Sequence, residues 1–182
     1  MKQDFTDLIR RESAVLHALH ERVHITCRTR HTDRHAHAAW TEACHAFHTY
    51  VSALDPYLDA ALCDPCYTHS EQIEFVVCFL EVDPHFFRSG YLKQDLLTRI
   101  KRSKLTAPIK RRLHAVLLDA VHRRGTREFK YYCRLAAAVA DDGLRGQLEA
   151  LAAEGTSART SRARRMLVSL YTTAKRSARR EG

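Results

Sequence analysis

The chain has too little glycine for the loops that cradle nucleotides. Six glycines are spread over 182 residues, and none falls in a G-x-x-x-x-G-K-[ST], G-x-G-x-x-G or G-x-S-x-G run. Neither a phosphate-cradling loop nor a nucleophile elbow is encoded in recognised form. No run is long and apolar enough to span a bilayer. The opening residues, Met1-Lys2-Gln3-Asp4-Phe5, lack the apolar core of a secretory signal. No segment alternates apolar and polar residues as a half-buried strand would. The six cysteines are scattered, most of them on apolar stripes. Without an export signal they are expected to be reduced, buried thiols of a cytoplasmic protein.

What the chain does have is helical periodicity and positive charge. Apolar residues make up 45% of the sequence, which allows a sizeable core in a single domain. The formal net charge is +9, and it is unevenly placed. Residues 1–68 hold 7 Lys/Arg against 9 Asp/Glu, residues 69–140 hold 14 against 7, and residues 141–182 hold 9 against 5. A basic partner surface therefore belongs to the second half of the chain.

The stretch from Thr68 to Ala140 carries the clearest elements. Thr106 reads as an N-cap with Pro108 in the first turn. Ile109, Leu113, Val116, Leu117, Ala120 and Val121 then keep one face of a 3.6-residue period to about Arg124. Gly125 reads as the stop and Thr126 as the next cap, followed by a stripe through Phe129, Tyr132, Cys133, Ala136 and Ala140. Before this pair, Thr68-x-x-Glu71 reads as a capping box. Ile73 and Phe75 to Leu80 are apolar nearly all round, which predicts the most buried helix. Asp83-Pro84 reads as N-cap and first turn of another helix, bent near Ser89-Gly90. Its stripe is Leu92, Leu96, Leu97 and Ile100, with Lys93 and Arg99 outside.

Upstream, a helix is expected from Phe5 to about Cys27, a second from Arg34 to about Leu54 and a short third from Asp55-Pro56 to about Leu62. Downstream, Leu144, Leu148 and Leu151 mark one helix. Ala163, Met166, Leu167, Leu170 and Tyr171 mark the last. The expected fold is all-α with no β-sheet, as one domain over residues 1–182. Residues 1–68 form a histidine-rich helical part. Residues 69–182 form a basic helical-hairpin part whose tail frays after about residue 175. Helix pairs begin near Thr68, Thr106 and Asp141, spaced by 38 and then 35 residues. That spacing suits hairpins stacked in a HEAT-like solenoid, an architectural likeness only. An irregular helical bundle is the alternative.

Twelve histidines raise the question of metal. His20-Glu21-Arg22-Val23-His24 matches H-E-x-x-H, which sets two imidazoles one turn apart. Arg22 puts a cation between them, and no third ligand stands downstream at a recognisable distance. A polar helix flank explains the run as well. Glu21/His24 and Glu42/His45 repeat the Glu-x-x-His pair of carboxylate-bridged di-iron bundles, but Glu42 and His45 project opposite the Trp40–Phe47 stripe. Cys63 and Cys66, with His69 nearby, could supply half of a zinc site. His37, Cys44 and His48 share a flank of the second helix. The expectation is no cofactor, with zinc as the alternative.

The remaining signal is a basic ridge. Lys101, Arg102, Lys104, Lys110, Arg111 and Arg112 surround one inter-helix turn, and Arg123, Arg124, Arg127, Lys130 and Arg134 the next. Arg162, Arg164 and Arg165 open the last helix, and Tyr91, Tyr131 and Tyr171 could add stacking. The sequence therefore predicts a non-enzymatic binding or scaffold module whose partner is a protein or a nucleic-acid phosphate backbone. It predicts no membrane association, and no small-molecule substrate can be inferred from it. The alternative is a zinc or iron enzyme built on the histidine-rich first third.

Overall fold

A computed structural model of the protein describes residues 4–123 and 127–178. It contains α1 (Phe5–Thr29), α2 (Arg34–Thr49), α3 (Asp55–Cys63), α4 (Ser70–Val82), α5 (Ser89–Ile100), α6 (Ala107–His122), α7 (Phe129–Val139), α8 (Asp142–Ala153) and α9 (Ala158–Ala178). There is no strand among the described residues, so the all-α expectation holds. No helix of these residues is long and apolar enough to cross a membrane.

The core forms around α4. Phe75, Val76, Val77, Cys78, Phe79 and Leu80 are buried in succession, because α4 meets α1, α3, α5 and α6 on different sides. A helix apolar all round is stable only when enclosed in this way. From α4 the hairpins pack on one another in chain order. The pair α4–α5 packs on α6–α7 through α4 with α6 and α5 with α7, and α6 and α7 pack in turn on α9. The first half of α1 docks on α4 through Phe5, Leu8 and Ile9. Its second half forms a hairpin with α2, which buries only Ala43.

Several boundaries differ from the sequence expectations, each for a local reason. The predicted second helix stops at Thr49 rather than Leu54. Glu12 of α1 accepts hydrogen bonds from the Tyr50 and Ser52 hydroxyls and the Ala53 N–H at 2.7–3.0 Å, drawing that segment into a turn. Burial pushes the Glu12 carboxyl up, but these hydrogen bonds outweigh it and hold the group below its ordinary value. Val51 is left 81% exposed, off the predicted stripe, while Leu54 is fully buried. The Thr68–Glu71 capping box does not form: α4 starts at Ser70, with His69 as an N-cap that makes no side-chain bond.

Asp83-Pro84 ends a helix instead of starting one. Asp83 is left-handed (φ 49°) and donates its N–H to the Phe79 carbonyl, closing α4. Aspartate tolerates this conformation, and proline commonly follows such a cap. Arg88 is left-handed too (φ 67°), and α5 then begins at Ser89, where a bend was expected. Thr106 does precede α6, but without a side-chain bond. The predicted stop Gly125 and cap Thr126 lie outside the described residues. The tight one-residue link expected there is longer, because α6 ends at His122 and α7 begins at Phe129. At the carboxyl end, α9 runs to Ala178, past the predicted fraying point near 175.

Candidate functional site

Many of the cations are committed inside the fold. Arg99, predicted to face outward, donates to the Leu62 and Asp64 carbonyls at the end of α3 (2.8 and 2.9 Å). Arg162 does the same for Val121 at the end of α6 (2.7 Å), and Arg164 for Ala152 and Gly155 after α8 (both 3.1 Å). Each guanidinium satisfies carbonyls that a helix end leaves unpaired and sits at the negative end of its dipole.

The predicted ridge divides in the same way. Arg112 of α6 is clamped by Glu74 and Glu81 of α4, with hydrogen bonds of 2.7–2.8 Å to both carboxylates. The bond to Glu81, against the cost of partial burial, and then Glu74 hold it more firmly protonated than a free guanidinium. Arg123 is paired with Asp83 and Asp119. Arg124 lies outside the described residues. Arg127 stacks on Tyr91 at 4.8 Å and bonds its hydroxyl. Arg134 and Lys130 lie over the Tyr131 ring at 5.2 and 5.0 Å.

What remains forms a face. Lys101 ends α5, Arg102 follows it, and Arg134 projects from the α7 surface packed beside α5. Lys101 and Arg134 line an open groove with Ala137 and Ala138 of α7 and Val168, Ser169 and Thr172 of α9. Val168 is 62% exposed there. Lys104, Lys110 and Arg111 are exposed around the α5–α6 turn. Among the described residues, none of Lys101, Arg102, Lys104, Lys110, Arg111, Lys130 or Arg134 has a carboxylate within ion-pair distance. Partial burial, then the charges of Arg102 and Arg134, pull the Lys101 ammonium below its ordinary value.

A second feature is a half-open pocket of about 350 Å³ where the end of α4, α6 and the start of α7 meet. Leu80, Val116, Ala120 and Phe129 form its apolar wall, and Asp83, Asp119, Arg123, Glu128 and Tyr132 its polar one, with His85 at the edge. Behind it Lys93 is 1% exposed, its ammonium 2.5 Å from Asp83. Lys93 was expected on the outer face of its helix. The inward turn follows from Asp83, whose left-handed cap brings a carboxylate to the inner side of α5. Burial, then the negative charges of Asp83 and Glu128, push the Tyr132 phenol well above its usual range, so it keeps its proton.

The histidine and cysteine candidates stay apart. The rings of His20 and His24 meet edge-on, with centroids 4.5 Å apart. His20 turns to Phe87 and Phe47, at 4.8 and 5.4 Å. Glu42 is exposed and pairs with Arg22 at 3.1 Å, and His45 is exposed as well. Cys63 is exposed and Cys66 half-buried, both as free thiols, and only Cys78 and Cys133 of the six cysteines are buried. Among the described residues, no group of three or more His, Cys, Asp or Glu side chains converges as a metal ion requires.

Sequence reasoning missed Lys93, Glu128 and Tyr132. The last two do stand four residues apart, the spacing of one helix face. Comparison with family models, curated proteins and solved structures finds no match to this chain.

Proposed function

We propose that this protein is a non-enzymatic helical binding module that docks on the phosphate backbone of a nucleic acid through the face around Lys101, Arg102 and Arg134. One observation carries this reading: like charges are crowded on that face with no carboxylate of the described residues to balance them, whereas Arg112 and Arg123 nearby are neutralised. Phosphates would relieve the repulsion and release condensed counterions, which supplies affinity without reading sequence. Tyr131, held between Lys130 and Arg134, offers an aromatic surface beside the cations.

The experiment is fluorescence anisotropy with a labelled duplex of arbitrary sequence, run beside labelled polyglutamate. Binding of the duplex that is lost in Lys101→Gln/Arg102→Gln/Arg134→Gln supports the reading. No duplex binding at low salt, or a preference for polyglutamate, moves the partner from nucleic acid to acidic protein.

A further inference from the structure

The groove between α7 and α9 offers more than charge. Arg134 stands one turn before Ala137 and Ala138 on the same side of α7, and Val168 and Thr172 stand one turn apart on α9, which packs on α7. Lys101, just past the end of α5, lines the same groove, which is open and has a volume of about 500 Å³. A cation and bare apolar surface are thus about one helical turn apart along α7, roughly 5 Å. Val168 is 62% exposed, one of the most exposed large apolar side chains among the described residues. Phosphates alone would leave that apolar surface unmatched.

The groove has little with which to read the edges of bases. The Ser169 and Thr172 hydroxyls bond the Arg165 and Val168 carbonyls of their own helix, at 3.4 and 2.7 Å. Arg134 also lies over the Tyr131 ring, so a second flat apolar surface adjoins the same cation. Neither Lys101 nor Arg134 has an ion pair among the described residues. Residues 1–3, 124–126 and 173–182 add six Lys or Arg to the chain and one acidic side chain, Glu181.

We infer that this face takes a single nucleic-acid strand in preference to a duplex, with phosphates on Lys101 and Arg134 and an unpaired base laid against Ala138 and Val168. The inference rests on the phosphate-binding reading above and narrows its ligand. A duplex keeps its bases stacked inside and presents phosphates and sugars to a surface of this kind, so Val168 gains little from it. An unpaired base has a free face, and every base has one, so the groove holds it without contacts to its edges. DNA and RNA strands share this chemistry.

The test is fluorescence anisotropy of the full chain with labelled oligothymidylate and oligouridylate, beside a duplex of equal length at the same salt. A strand binds at least about tenfold more tightly than the duplex, and the tighter of the two strands names the source. Val168→Asn removes the apolar surface, and Ala138→Leu fills the groove. Each brings the preference for a strand down to about parity. Both positions are exposed, and an unchanged melting temperature verifies that the variants fold. Equal affinity for strand and duplex, tighter duplex binding, or a preference unaltered in the folded variants overturns the inference and leaves the phosphate-binding face standing. No binding of strand or duplex by the wild type at low salt overturns both.

Discussion

Lys93 turns inward from α5 and lies with its ammonium 2.5 Å from the carboxylate of Asp83, the residue that closes α4. The lysine is 1% exposed and the aspartate 12%. The pair joins the end of one helix to the body of the next, and its aspartate lines the pocket. Lys93→Met leaves Asp83 with Arg123 as its principal partner, and the cost should be about 3 kcal/mol, the low end for breaking a buried pair. Adding Asp83→Asn should cost less than the sum of the single changes, because the residues are in contact. Urea denaturation of the two single variants and the double variant measures this. Strict additivity would show that the pair is not formed in solution.

Leu117 of α6 and Phe79 of α4 are both fully buried in the same core. Truncation of either to alanine leaves a cavity between helices that cannot close around it. The expected loss is about 2–5 kcal/mol for each. Denaturation midpoints that stay in place for both variants would contradict the assigned core.

The burial of α4 was legible because Phe75 to Leu80 leave no polar face to expose. The stripe of α6 was legible for the opposite reason, since its cations and its apolar residues separate cleanly at 3.6-residue spacing. Lys93 was not legible, because a lysine beside an apolar stripe reads as solvent-facing. Only the left-handed turn at Asp83, ten residues earlier, makes the inside polar. Arg112 was misread in the same way, as a ridge cation. Its partners Glu74 and Glu81 lie 38 and 31 residues away, beyond any local pattern. The pocket joins residues of three helices and so left no single motif.

His20 should make the α1–α2 hairpin acid-sensitive. Burial against Phe47 and Phe87, then the neighbouring His24 and His17, lower its proton affinity below the ordinary value of 6.5. The unfolded chain therefore takes up the proton first as pH falls. The stability this residue contributes is complete above about 6.5 and is lost as pH drops through its lower folded value. Melting temperature should fall between neutral pH and pH about 5.5, and His20→Phe should show a smaller fall. Equal falls in the two proteins would place His20 in water.

The thiols should react in order of exposure. Cys63 is exposed, whereas burial raises the thiols of Cys78 and Cys133 above their ordinary range. A chromogenic disulfide reagent should modify Cys63 rapidly, and Cys78 and Cys133 only on unfolding. Adding reductant should leave the melting temperature unchanged, since all six cysteines are free. Rapid labelling of Cys133 in the folded protein would contradict its burial.

The basic face is tested most directly by the salt dependence of duplex binding. Affinity of the wild type should fall steeply as salt rises, by about 0.9 in log K per unit of log salt for each phosphate contact. Lys101→Gln/Arg102→Gln/Arg134→Gln should weaken binding and flatten that slope by about 3, roughly one unit per cation removed. Arg112→Gln, which disrupts an internal clamp, should leave the slope as it was. A slope equal in wild type and triple variant, or flattened by Arg112→Gln instead, would contradict the assignment of the phosphate-binding face.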